Sequence, residues 1–110
     1  DYVHVADLAE AHVAALRFIL KENRGHRFNL GSGRPASVRE VLKAVEHVTG
    51  RPVPAEEAPR RPGDPMSLYA ANALALSRLG WQPRHLDIAG IVQSAADWDV
   101  KYVAARRASA

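Results

Sequence analysis

The sequence contains no cysteine. Disulfides, thiolate nucleophiles and thiolate metal sites are thereby excluded, while the cellular compartment stays open. Long apolar runs are missing too. Nothing approaches the roughly 18 residues of a membrane span, and no charged start followed by an apolar stretch suggests a secretory signal, so a cytoplasmic protein is the expectation. Charge of one sign is scarce: 15 basic and 12 acidic residues leave a formal charge of +3. With the two signs interspersed, a nucleic-acid binder with its steep salt dependence is the weakest of the function classes.

Catalytic signatures are lacking as well. Tyr2, Tyr69 and Tyr102 are followed four positions on by Ala6, Ala73 and Arg106, so no Tyr-x-x-x-Lys pair activates a phenol. His4, His12, His26, His47 and His85 show no H-E-x-x-H spacing, and Ser32 and Ser67 lack a G-x-S-x-G elbow. Neither a catalytic residue nor a metal ligand is assigned. Trp81 and Trp98 are expected to anchor a core or an interface.

What is present is ordinary folding material. The 110 residues are 47% hydrophobic and 25% charged, a globular composition sufficient for one domain at most. A dinucleotide-binding fold with a substrate domain would need more. The chain opens on Asp1 rather than Met, which sets the expectation of a fragment or excised domain. Tyr2 to Val5 reads as a strand, and Asp7 with Glu10 as a capping signal for a helix to about Leu20, closed near Gly25. A strand over His26 to Leu30 follows. Ser37 with Glu40 forms a capping box for a helix to about Val48, whose buried face would carry Val38, Val41, Leu42, Val45 and Val48. Val53 to Ala58 is extended, with prolines that forbid a central strand. Leu68 to Ala71 reads as a strand, Asn72 to Leu79 as a short helix capped by Asn72, Asp87 to about Val103 as a last helix, and Ala104 to Ala110 as a frayed tail. The expected fold class is α/β, mixed and helix-rich, with three main helices, a few short strands and no complete Rossmann domain.

Two loops invite a binding role. Gly31-x-Gly33-x-x-Ala36 superficially matches a dinucleotide fingerprint. Pro35 and the Ser37 cap delay the following helix, however, and Pro52 and Pro54 spoil the next strand, so no cofactor is assigned there. The second loop is Arg60-Arg61-Pro62-Gly63-Asp64-Pro65. Arginine offers a planar fork of donors matched to phosphate oxygens, Pro-Gly supplies turn chemistry, and Asp64 can accept from sugar hydroxyls. Taken alone, the loop reads more readily as solvated basic surface than as a phosphate grip.

Four motifs in order, Asp1-Tyr2-Val3-His4-Val5-x-Asp7-Leu8-Ala9-x-Ala11-His12, Phe28-Asn29-Leu30-Gly31-Ser32-Gly33, Arg60 to Pro65 and Leu79-Gly80-Trp81, resemble the C-terminal third of extended short-chain dehydrogenase/reductases. Within them, the NAD-dependent epimerase/dehydratase family that acts on sugar nucleotides is the closest match, and its 4-epimerases above all. The resemblance covers nearly the whole chain. It implies that residues 1–110 are a C-terminal sugar-nucleotide-binding portion, in which residues 1–33 would pack on or extend a Rossmann domain and residues 34–110 would form the substrate-domain core. NAD is implied for the full-length parent, and no cofactor for this chain alone. The family moves a hydride at C4 of the sugar, and the residues that do so are not in this chain.

Carried over by motif, Arg61 resembles the family's diphosphate-binding arginine and Asp64 its ribose-contacting carboxylate. Arg60 would assist or face solvent, and Tyr69 stands where a substrate-contacting aromatic is common. The family's second diphosphate arginine precedes the Asp-Tyr-Val-His motif, so half of that clamp lies outside this sequence. The implied partner is a UDP-sugar. Helix one is expected to expose an apolar face, to be covered by the Rossmann portion or by a homo-oligomer.

Overall fold

Residues 1–108 are described in a computed structural model. Four helices follow in order, α1 Val5–Glu22, α2 Val38–Thr49, α3 Ala73–Leu79 and α4 Ile88–Ala108. α1 packs on α3, and α2 on α4. The radius of gyration is 17.5 Å, with extents of 48 × 44 × 23 Å, against about 13 Å for a compact chain of this length. The molecule is an open slab of two helix pairs.

Its core is correspondingly small. Ala11, Ala75 and Trp81 are buried together, with Val3, Phe28, Leu30 and Leu79 packed around them. Alanine on both α1 and α3 lets the two backbones approach closely, and the Trp81 ring fills the remaining space. Its indole N–H donates to the Asp7 carbonyl at 2.8 Å, satisfying the one polar atom the ring would otherwise bury unpaired. At the far end of α1, Phe18 meets Phe28 edge-on at 5.4 Å, and His26 stacks on Phe28 at 4.7 Å.

The expected strands are not found: among the described residues there is no strand. Residues 26–30 and 68–71 run without regular structure, and so do residues 2–4, whereas Val5 is already helical. The physical reason is that a strand exists only through a hydrogen-bonded ladder to a neighbour. No backbone–backbone hydrogen bond joins one of these segments to another among the described residues, so no ladder forms even where they pack together.

Helix ends follow their local chemistry, with exceptions. At α2, Ser37 and Glu40 form the expected capping box, and Gly50 closes the helix in the left-handed conformation. The buried face differs: Ala44 is buried, Val41, Leu42, Val45 and Val48 are half-buried, and Val38 in the first turn is exposed. At α1 the cap is His4, whose side chain accepts from the Ala6 N–H at 3.0 Å. Asp7 lies inside the first turn, and the left-handed residue closing α1 is Asn23 rather than Gly25. Asn72 precedes α3 without a side-chain cap bond, and its amide donates to the Gly31 carbonyl at 2.9 Å. Asp87 caps α4 by accepting from the Gly90 N–H at 2.9 Å. α4 runs on to Ala108, five residues past the expected end at Val103, and residues 109–110 of the expected tail lie outside the described residues. Trp81 is a core anchor as expected, while Trp98 is exposed. No helix among the described residues is long and apolar enough to cross a membrane.

Candidate functional site

Between α2 and α3 the chain crosses residues 50–72 without a helix. A connection of that length in a small domain is characteristically a binding loop. Its first limb is tied to α2: the Val53 N–H donates to Glu46 at 3.1 Å, and Arg39 pairs with Glu57. Its last limb is tied at Ala70 and Asn72. The tip between them carries Arg60, Arg61 and Asp64.

The tip is held by its own turn. The Asp64 N–H donates to the Arg61 carbonyl at 3.2 Å, and Gly63 at φ +87° takes a conformation that a residue with a Cβ resists. That turn brings the Arg61 Nε to 3.0 Å from the Asp64 carboxylate. The two side chains are 85% and 42% exposed. The structure therefore joins Arg61 and Asp64 to each other, with only one guanidinium nitrogen engaged. Arg60 is exposed beside them. Tyr69 is 54% exposed, on the anchored limb, and no ring contact links it to either arginine among the described residues.

The anchoring of that limb escaped sequence reasoning. The Asp1 carboxylate accepts from the Ala70 N–H at 2.9 Å, from the Ser32 N–H at 3.0 Å and from the Ser32 hydroxyl at 2.6 Å. The Asp1 nitrogen donates to the Leu68 carbonyl at 3.4 Å. Gly31 is packed against this knot: a Cβ placed on it would lie 2.6 Å from the Ala70 Cβ. Gly31 thus serves close packing. Gly33, at φ +70°, serves the turn that follows.

Asp7 was also misread as a cap. It is 1% exposed and accepts from the Arg84 and His85 N–H groups at 3.2 and 3.0 Å and from the His85 ring at 2.9 Å. Burial pushes its carboxyl up. The hydrogen bonds from the His85 ring and from the His85 and Arg84 backbones, with the attraction of His85, outweigh that and hold it below the usual carboxylate range. The His85 ring stacks on His4 at 4.1 Å. Because His4 Nδ1 accepts from Ala6, its Nε2 carries the proton and donates to the Ser94 hydroxyl at 2.9 Å. A base able to activate Ser94 would have to accept there, so the pair is structural. No group of histidines and carboxylates among the described residues could hold a metal ion.

A surface cavity of about 790 Å³ lies elsewhere, between α1 and the loop after α3, bounded by Arg17, Trp81 and the Glu10–Arg84 ion pair. It includes none of the four site residues named from sequence. A concavity in an open slab marks a gap between elements as readily as a ligand site, and hydrogen-bonding chemistry here favours the 60–70 loop.

No family model matches the chain. The UDP-glucose 4-epimerase of Halalkalibacterium halodurans is 46% identical over 98 residues, 89% of this chain and 29% of that protein. A crystal structure of UDP-glucose 4-epimerase superposes with a TM-score of 0.81 at 43% identity, over 92% of this chain and 31% of the other. The chain is homologous to the C-terminal part of UDP-glucose 4-epimerases. A second epimerase, from Bifidobacterium longum and solved in complex with NAD+ and UDP, matches with a TM-score of 0.73 at 39% identity, over 92% of this chain and 30% of its own. The chain thus spans about 30% of the length of the epimerases it matches. The epimerase match extends over both helix pairs and the loop between them.

Proposed function

We propose that the chain is the UDP-sugar-binding portion of an NAD-dependent epimerase of the extended short-chain dehydrogenase/reductase type, one that interconverts UDP-glucose and UDP-galactose in galactose metabolism in the cytoplasm. The observation that carries this is the fold match, at 39% identity, to an epimerase solved with NAD+ and UDP. Residues 1–33 would dock on a Rossmann portion, and residues 34–110 would close over the nucleotide. The Gly31–Ser32 loop offers NAD no cradle: Gly31 is filled by Asp1 and Ala70, and Ser32 beside it is bonded to Asp1. With no Tyr-x-x-x-Lys pair either, the chain alone is inactive.

In the UDP-sugar grip, Arg61 takes the diphosphate, Asp64 a ribose hydroxyl and Tyr69 the substrate beyond, while Arg60 adds charge at the rim. The Arg61–Asp64 pair poses no obstacle. An exposed ion pair is worth about 0–1 kcal/mol, whereas hydrogen bonds between a guanidinium and a phosphate contribute about 1.5–3 kcal/mol. The pair pre-orients both side chains and yields to the ligand. Calorimetry with UDP is the test. Arg61→Ala is expected to weaken binding by about tenfold or more, and equal heats from the two proteins would remove Arg61 from the site.

A second reading, a stand-alone oligomeric interaction module, is favoured by one observation. Val13, Leu16 and Leu20 form an exposed apolar stripe along α1. Such a module gives a defined stoichiometry and no heat with UDP.

A further inference from the structure

We propose that Asp1 is a positioning residue that sets the direction of Tyr69, an inference that rests on the UDP-sugar reading above. Tyr69 is the one residue between the two backbone groups that Asp1 holds. The Asp1 nitrogen reaches the Leu68 carbonyl at 3.4 Å, and the carboxylate takes the Ala70 N–H at 2.9 Å. The second carboxylate oxygen is fixed by the Ser32 N–H and hydroxyl at 3.0 and 2.6 Å. Three donors on one carboxylate hold it in a single orientation, because charge-assisted bonds are short and directional. Gly31 lets the Ala70 backbone approach, and Asn72 closes the knot by donating to the Gly31 carbonyl at 2.9 Å.

The backbone of Tyr69 is thus pinned on both sides while its ring stays half exposed. The tip carrying Arg61 has only its internal turn and ion pair. The two halves of the grip therefore differ in kind: Arg61 is adaptable, and Tyr69 is preset. A preset group confers selectivity, since it cannot follow a ligand whose sugar points elsewhere. The chemistry at position 1 requires a group that only accepts. Asparagine would turn an amide N–H₂ against one of the three donors.

The experiment uses the full chain and UDP-glucose as the probe, followed by nuclear magnetic resonance. In Asp1→Asn the Trp81 indole N–H, bonded to Asp7, is expected to keep its resonance, which reports an intact fold. The Ala70 amide should exchange about tenfold faster, and the response of Tyr69 to UDP-glucose should be lost, while that of Arg61 remains. Should Asp1→Asn fail to fold, Ser32→Ala removes the 2.6 Å hydroxyl bond to Asp1, together with the hydroxyl's local bonds to the Arg34 backbone at 2.9 and 3.1 Å. It keeps the Ser32 N–H and Ala70 N–H bonds to the carboxylate, and is expected to move the same two signals in the same direction. Unchanged Ala70 exchange, or a Tyr69 response equal to wild type, overturns the role of Asp1. If wild-type Tyr69 is silent to UDP-glucose, the UDP-sugar reading of that residue fails and takes this role with it, whatever the amide exchange shows.

Discussion

Asp7 carries a charge that water barely reaches, and its neighbours are arranged to replace that water. Two backbone N–H groups and a histidine ring fill the carboxylate, and the carbonyl of the same residue receives the Trp81 indole. One residue of α1 thereby fixes the loop that follows α3. Asp7→Asn would set a donor against donors in a buried site, and the expected loss is about 2–4 kcal/mol of stability, measured by urea unfolding at neutral pH. The sign of the pH dependence follows from the lowered carboxyl. In the window between its folded pKa and the unfolded value near 4, the unfolded chain binds more protons, so stability rises with pH. The contribution of Asp7 is complete above about pH 4 and is lost as pH falls through the folded value. The gap between wild type and Asp7→Asn should therefore narrow on acidification below pH 4, and a gap that stays constant down to pH 2 would contradict it.

Elements begin and end where short-range chemistry is strong. The capping box of α2 is closed at both bonds: the Glu40 N–H reaches the Ser37 hydroxyl at 3.2 Å, and the Ser37 N–H reaches the Glu40 carboxylate at 2.6 Å. Ser37→Ala is expected to cost about 1 kcal/mol, and a thermal midpoint lower by roughly 4–8 °C is the corresponding observable. An unchanged midpoint would show that packing on α4 alone sets the start of α2. This helix was legible in the sequence because its signals lie within four residues of each other. The start of α1 was not, since Asp7 has the composition of a cap and its partners stand near residue 84. The strands failed for a related reason: residues 26–30 and 68–71 have the composition of strands, but a ladder needs a neighbour that composition cannot supply. In the candidate site, Arg61, Asp64 and the Gly63 turn were readable as one local motif. Asp1 was not, because its role lies wholly in bonds to residues 32, 68 and 70.

The whole molecule is a slab whose α1 stripe of Val13, Leu16 and Leu20 is left in solvent. An apolar face of this kind is covered in a stable protein by another surface. As the isolated chain, it is expected to self-associate, with a sedimentation mass that rises with concentration. Leu16→Glu combined with Leu20→Glu should restore a monomer without loss of helix, since both side chains are exposed. A monomer at every concentration would show that the stripe is tolerated in water.

The knot at Asp1 also has a place in time. Its bonds to Leu68 and Ala70 join residues 67 and 69 positions apart, whereas each helix closes over four. Helices relax in about a microsecond or less, and distant contacts must first meet the entropy of closing a long loop. In a newly made chain the longer helices are therefore expected to form early and the limb carrying Tyr69 to order late, once some seventy residues are available to be drawn together.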